Sequence, residues 1–326
     1  MRQGVGLPAM MAYFIKRLLQ CIPLLLLVSL LSFGLIKLVP GDPAVVMGGT
    51  NATAAEIAVI RSNLGLDRPL HVQILSFYGN LAQGDLGRSL MLGQPVKDAI
   101  LERLPATAWM ALYSMVLTLL VGLAIGVLAA LYHNTWIDQG AMTVALLGVS
   151  VPNFWLGLVL ILVFSVHLGW LPTGGYVEPS TDLLGWLRSA TLPAVSLALL
   201  QIGLLARITR SAMLEVLRQD YIRTARAKGL SELAVIGKHA MANVAIPVVT
   251  VVGLIFSVLL SGSIIVETVF SVPGMGALLG NAILRRDYPM IQGGLLFVAA
   301  ALMLLNVLVD VAYAWFDPRV RVGGGH

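Results

Sequence analysis

Asp220-Tyr-Ile-Arg-Thr-Ala-Arg-Ala-Lys-Gly229 crowds Arg223, Arg226 and Lys228 just ahead of a single glycine. Guanidinium and ammonium groups donate hydrogen bonds and accept none, so these cations suit a partner's surface or phosphate groups rather than nucleophilic chemistry. From Glu215 to Ala227 there is no glycine or proline, and the run reads as helix. Gly229 ends it, because glycine takes positive φ freely and lets the chain turn back. Ser231 beside Glu232 then starts a second helix running toward Asn243. The candidate site residues are Asp220, Tyr221, Arg223, Thr224, Ala225, Arg226, Lys228, Gly229, Ser231 and Glu232. Together they predict a helix–glycine–helix knob. A rigid knob transmits rigid-body motion, which a flexible loop would not. The plainer alternative is a basic loop that only fixes membrane topology, but topology needs charge and not a hinged helical pair.

Other constellations are absent from the sequence. No Gly-x4-Gly-Lys-[Ser/Thr] phosphate loop occurs; the one Gly-Lys pair, Gly237-Lys238, is followed by His239, and Glu232 stands where the first glycine belongs. The five histidines, His71, His133, His167, His239 and His326, are scattered without metal-ligand spacing. No Ser/His/Asp arrangement is legible. Gly122 and Gly126 have the small-xxx-small spacing of helix packing. One further acid stands out. Asp310 lies four residues after Asn306 in the last apolar run, and its depth matches that of Arg207 and Arg210 near the inner end of the fourth. A packing ion pair of Asp310 with Arg207 or Arg210 is the expected arrangement; a proton or substrate site is the alternative.

The elements that must position these residues follow from composition. The chain has 326 residues, 58% hydrophobic and only 11% charged, with mean hydropathy +0.89. An ordinary soluble domain is about 25% charged, so the balance points to an all-α polytopic membrane bundle. The net charge of +5 could suggest nucleic acid, but the positive residues flank apolar segments, as in proteins oriented by the bilayer. Cys21 is the only cysteine, so no intrachain disulfide can form. Six spans are predicted, at about 14–39, 106–131, 139–166, 192–217, 244–270 and 291–316. The first reads as a retained signal anchor rather than a cleaved signal peptide. Pro152 is expected to kink the third. Lys and Arg on the short loops favour both termini inside.

The chain thus divides into 1–39, an external helical segment 40–105, and a five-helix core 106–326 with the inner loop at about 218–243. In the external segment Thr53-Ala-Ala-Glu56 is a capping box, and Gly65 ends that helix. A second helix follows Pro69, with Leu70, Ile74, Phe77, Tyr78 and Leu81 on one face. Pro95 opens a third, aligning Val96, Ile100 and Leu104.

At these residues the chain resembles the dipeptide/oligopeptide branch of the ABC-transporter permease subunits. Arg223-Thr-Ala-Arg-Ala-Lys-Gly229 is similar to that family's EAA loop. Pro40-Gly-Asp-Pro43, Leu64-Gly-Leu-Asp-Arg-Pro69 and Gly84-Asp-Leu-Gly87 resemble its outer segment. Glu267-Thr-Val-Phe-Ser-Val-Pro-Gly274, Arg286-Asp-Tyr-Pro289 and Asn306-Val-Leu-Val-Asp310 resemble its C-terminal third. The Glu-Ala-Ala of the general signature reads Thr224-Ala-Arg226 here, so contacts do not transfer one by one from sugar permeases. The resemblance implies a multi-pass protein of the bacterial inner membrane with several partners. These are a second homologous permease, two cytoplasmic ATPases, an extracytoplasmic solute-binding protein and the lipid bilayer, with no nucleic acid. It also implies that this chain binds no cofactor and that ATP is used by the partner subunits. A secondary transporter or channel is the other class; it would need coupling acids or a filter at mid-membrane.

Overall fold

The computed structural model describes residues 7–38, 42–48, 52–63, 65–261 and 263–316, and of 7–13, 16, 35–38, 43, 46, 47, 63 and 310–316 the helical backbone only. Among the described residues there is helix throughout and no strand beyond an isolated bridge, Arg88 to Pro95. Five helices are long and apolar enough to cross a membrane, or six if one bent pair counts as a single span. The chain divides into two compact units: residues 1–105 with 274–304, and residues 106–273 with 305–326. Pro40, Gly41 and Leu64 of the outer-segment motifs, and Arg319 and Arg321 of the charge count, lie outside the described residues.

The first unit holds α1 (Leu7–Leu38), α2 (Pro43–Gly48), α3 (Ala54–Asn63), α4 (Leu70–Ala82), the start of α5 (Val96–Leu131), α13 (Met275–Leu284) and most of α14 (Tyr288–Phe316). The capping box forms as the sequence predicts. Thr53 N–H donates to Glu56 Oε2 at 2.7 Å and Glu56 N–H to Thr53 Oγ1 at 3.3 Å. The Thr53 N–H holds the Glu56 carboxyl below its usual range. Gly65, at φ +65°, follows α3 and turns the chain toward α4. That helix lays Phe77 near Phe33 of α1, ring centroids 5.9 Å apart, and Tyr78 Oη sits 2.6 Å from Ser29 Oγ. Asp287, nearly fully buried, accepts from Met290 N–H at 3.3 Å and so caps α14. It also accepts from Leu90 and Met91 N–H, both at 3.2 Å, and from the Ser89 hydroxyl. One carboxylate thereby holds the turn before α5 to the start of the last helix.

Two expectations change here. The third outer helix is not separate: Val96 and Ile100 are buried, and their turn runs on unbroken into the 36-residue α5. A proline at its head is compatible with a helix start and gave no hint of how far the helix extends. The connection before the last span contains a full helix, α13, whose Met275 and Ala282 pack with Val96, Ala99, Ile100 and Met290.

The second unit is built on α8 (Leu183–Leu217), which packs against α6 (Trp136–Ser150), α7 (Asn153–Leu160) and α11 (Met241–Ser261). The remainder of α5 belongs to it as well. A Cβ on Gly126 would stand 2.6 Å from Thr209 Cβ and 2.7 Å from the Ala206 carbonyl; one on Gly122 would stand 3.1 Å from Leu205. The small-xxx-small pair is therefore where α5 closes on α8. The third predicted span is broken harder than a proline kink: α6 and the helix from Asn153 to His167 meet at 104° around Val151-Pro152. Just beyond the break, Ser196 Oγ of α8 donates to the Asn153 carbonyl at 2.7 Å, so the hydroxyl finds its partner inside the protein, as a membrane interior demands. The fifth predicted span also ends early: α11 stops at Ser261, and α12 (Ile264–Val269) is a separate turn of helix.

Gly126→Leu is expected to lower the unfolding temperature of the purified chain in detergent, through overpacking worth about 1–3 kcal/mol. Gly140→Ala, at a helical position with nothing within 4 Å, should be neutral or slightly stabilising. Equal melting of the two variants would show that α5 and α8 are not in close contact.

Candidate functional site

The knob starts from an amphipathic turn of helix. α9 (Asp220–Ala227) buries Ile222 and Ala225 and leaves Asp220, Tyr221, Arg223, Thr224 and Arg226 outside. Its end is a Schellman turn: Gly229 N–H donates to the Arg226 carbonyl at 2.9 Å and Leu230 N–H to the Ala225 carbonyl at 3.4 Å. Gly229 sits at φ +77° with open space where a Cβ would point. The demand for glycine is thus conformational and not one of room. Ser231 caps the next helix, its Oγ accepting from Ala234 N–H at 3.4 Å.

Two side-chain links make the knob stiff. Arg226 forks onto Glu232 across the glycine, Nε to Oε1 at 2.8 Å and Nη2 to Oε2 at 3.1 Å. The Glu232 carboxylate raises the Arg226 pKa from its ordinary value. Both groups are substantially exposed, so the pair fixes geometry more than it adds stability. Asn243 Nδ2 donates to Tyr221 Oη at 2.9 Å, joining α9 to the first turn of α11. Arg223 lies 3.6 Å from Asp220 on the open surface, a weak contact. Lys228 is exposed as well.

The sequence predicts a second knob helix ending near Asn243 and a span beginning at 244. The structure makes them one. α10 (Glu232–Ala234) passes through a π turn, Val235–Ala240, directly into α11, giving a 30-residue helical run from Glu232 to Ser261. Val235 and Ala240 are fully buried in the core of this unit while Gly237 and Lys238 face out. The wide turn inserts an extra residue without breaking the helix. Sequence reasoning also missed Leu233, 85% exposed at the tip beside the half-exposed Leu230. Its neighbours Val235 and Ile236 are buried or half-buried, so hydrophobic pattern alone did not separate it from them. Asn243, read from the sequence only as the end of the second knob helix, was missed as the partner of Tyr221.

The structure gives Arg210 a partner that the sequence reading did not name. Arg210 donates from Nε to Asp138 Oδ1 at 2.5 Å and from Nη2 to Asp138 Oδ2 at 2.7 Å. Asp138 is 2% exposed and also accepts from Asn134 N–H at 2.9 Å; His133 Nδ1 lies 3.1 Å from its Oδ2. This carboxylate, in the first turn of α6, reaches Arg210 on α8. The depth argument for Asp310 applied equally to Asp138, which begins the neighbouring apolar run. Arg207 is exposed, and the Asp310 side chain lies outside the described residues. Among the described residues no group of three or more His, Cys, Asp or Glu is placed to hold a metal ion.

Comparison with known proteins places this geometry. A family model described as "Binding-protein-dependent transport system inner membrane component" matches residues 122–322, and the corresponding N-terminal model matches residues 10–111. A Brucella abortus protein named "Putative peptide transport system permease protein" is 52% identical over 96% of this chain and 99% of its own. A Salmonella typhimurium "Glutathione transport system permease protein" is 45% identical with the same coverage. Among solved structures, an inward-facing form of the MetNI methionine ABC transporter matches 67% of this chain and 96% of its own. Its TM-score is 0.54 at 16% identity, which speaks to the fold.

Arg210→Met should strand the Asp138 carboxylate and cost about 3–5 kcal/mol, read as lost thermal stability and lower membrane yield. Adding Asp138→Leu should recover much of that loss. A double variant no better than the single one would remove the pair from its structural role.

Proposed function

Because the chain belongs to the family of binding-protein-dependent transport system inner membrane components, we propose that it is the permease subunit of an ATP-driven importer for peptides or related small solutes. It forms half of the translocation pore beside a second, related permease. Two cytoplasmic ATPases bind beneath, and an external solute-binding protein delivers the cargo to the side bearing residues 40–105. Both termini are inside. ATP belongs to the partner subunits, and this chain contributes motion rather than chemistry. The relatives named for peptide and glutathione transport support a peptide-like cargo, since glutathione is itself a tripeptide.

The observation that carries the reading is the continuity of the knob with a span. Residues from Glu232 to Ser261 form one helical run of about 45 Å at 1.5 Å per residue. A push on the tip therefore moves the span itself. Arg226 with Glu232, and Tyr221 with Asn243, keep α9 attached to the base of that rod. The exposed cations Arg223 and Lys228 and the exposed Leu233 provide charge and an apolar anchor for the ATPase surface. Covering Leu233 against a partner would remove apolar surface from water, worth about 1.5–3 kcal/mol for a leucine that becomes fully buried.

Gly229→Val should leave the chain inserted and assembled but lower transport tenfold or more, because a β-branched residue opposes positive φ. Gly229→Asn, which tolerates that conformation, should keep most of the activity. Wild-type transport by the valine variant in proteoliposomes would sink the hinge.

The sidedness has its own test in a Cys21→Ser background. Cysteine at the exposed Ser62 should react with an impermeant thiol reagent on intact cells. Cysteine at Lys228 should react only after permeabilisation. The opposite pattern would invert the topology.

A further inference from the structure

The outward faces of the second unit's helices are not alike. Between Ala106 and Leu131 every exposed residue of α5 is apolar, and Thr107, Ser114 and Thr118 are buried. That is how a helix facing lipid distributes its side chains. The seam of α11 with the end of α14 does otherwise. Thr250 and Ser261 of α11 and Asn306 of α14 are exposed, and Ser257 is half-buried between them. Spacings of seven and four residues put Thr250, Ser257 and Ser261 on one helical face. Gly253 lies against Val309, and Ser257 Oγ lies 3.1 Å from the Gly253 carbonyl and 3.2 Å from Asn306 Oδ1.

The hydroxyls by themselves decide nothing. Thr250 Oγ1 donates to the Ile246 carbonyl at 3.2 Å and Ser261 Oγ to the Ser257 carbonyl at 2.9 Å. Thr143 and Ser150 of α6 do the same at 2.8 and 3.0 Å, so a hydroxyl on an outward face is satisfied by its own helix. A carboxamide is different. It carries two N–H donors besides its oxygen, and the Ser257 hydroxyl engages only the oxygen. The two donors of Asn306 Nδ2 have no partner among the described residues. Asn306 lies ten residues, about 15 Å, before Phe316 and eighteen, about 27 Å, after Tyr288, well inside the last span. Hydrocarbon cannot accept those hydrogen bonds. The amide therefore requires water or a polar partner that the described residues do not supply.

We infer that Asn306, held by Ser257, lines the aqueous path through the importer and donates from Nδ2 to the peptide carbonyls of passing cargo. This rests on the reading of the chain as half of a peptide importer's pore. A peptide group presents one acceptor and one donor. Asn306 supplies donors. Ser261, one turn from Ser257, and Thr250, two turns from it, have their protons committed to their own helix and supply acceptor oxygens. Such contacts read the backbone and ignore side chains, which suits cargo of varied sequence. A second permease is the other body that could meet the amide. Helices approach closely where the facing residues are small, and here Leu254, 61% exposed between Thr250 and Ser257, stands in the way.

The test uses the assembled importer with its external binding protein in proteoliposomes, in a Cys21→Ser background. Asn306→Cys should be modified by the water-soluble methanethiosulfonate ethyltrimethylammonium in at least one nucleotide state, read as a mass shift of this chain. Leu120→Cys, on the apolar face of α5 and 66% exposed, should react many-fold more slowly. Trialanine and glutathione serve as cargo. Asn306→Leu should lower the amount of carried peptide moved per ATP hydrolysed several-fold, and Asn306→Gln, which keeps the donors, should restore most of it. If Asn306→Leu does not assemble, the cysteine reaction decides. No reaction at Asn306→Cys in any state, the result for a residue covered by lipid or by a second permease, would overturn the inference. So would an equal rate at Leu120→Cys, or an Asn306→Leu complex that transports like wild type. An unsubstituted importer that moves neither peptide overturns the peptide-importer reading itself; one that moves either while Asn306→Cys stays inert overturns only the role of Asn306.

Discussion

The apolar spans of the second unit answer to the absence of water from a bilayer core. There every polar group must find its partner within the protein, and every misplaced one costs free energy that a soluble domain recovers from solvent. Two carboxylates meet this constraint, one just past the end of α5 and one about a third of the way along it. Asp138, beside the turn that follows Leu131, is held by Arg210. Glu267 is held by Thr107, about 36 Å earlier along that helix at 1.5 Å per residue. The first ties α6 to α8, the second ties α12 to α5. Between them, close contacts at glycines, Gly126 on Thr209, Gly148 on Leu199 and Gly157 on Phe270, stand beside hydrogen bonds of Tyr113 with Thr191 and of Ser196 with the Asn153 carbonyl. Interdigitated side chains and polar ties together set the register of the helices.

The knob obeys the opposite rule because its charged side chains are exposed. Its ion pair, Arg226 with Glu232, is exposed and contributes little to stability, so its geometry is what has value. The charged fork and the Schellman turn make the same bend from two directions: one fixes the backbone, the other fixes the two helices that leave it. Neither would stiffen the knob alone. Glycine at φ +77° relieves strain but leaves freedom, and a salt bridge across a loose loop would sample many geometries.

The sequence made the class, the spans and the knob legible because each leaves a one-dimensional trace. Hydropathy locates spans, a glycine after a basic helix locates the hinge, and Thr53 with Glu56 announces a helix start. What it did not reveal is three-dimensional choice. Arg210 had two acids at comparable depth, Asp138 and Asp310, and nothing in their spacing ranks them. Leu233 reads as one more apolar residue in an apolar run, yet it stands almost bare at the tip. The join of knob to span was hidden for a related reason. A π turn leaves no composition signature, and the run Val235 to Ala240 contains a glycine and two cationic or titratable residues that resemble a loop. The break at Pro152 was visible in kind but not in size, since proline dictates that a helix is disturbed and its neighbours dictate the angle.

That π turn has a mechanical meaning. A helix that must present Leu233, Gly237 and Lys238 to water and then Val244, Val248 and Ile255 to a core needs its faces brought into register at the boundary. A glycine break would do this and lose the stiffness. A wide turn does it while keeping successive backbone hydrogen bonds, at the cost of one extra residue. The sharp bend of 104° sits instead between α6 and α7, away from the rod. The chain thus puts its sharp break in a helix that carries no knob and keeps the one that does continuous from Glu232 to Ser261, although Pro247 within it has no N–H to give the helix ladder. That continuity suits the coupling role proposed for the knob.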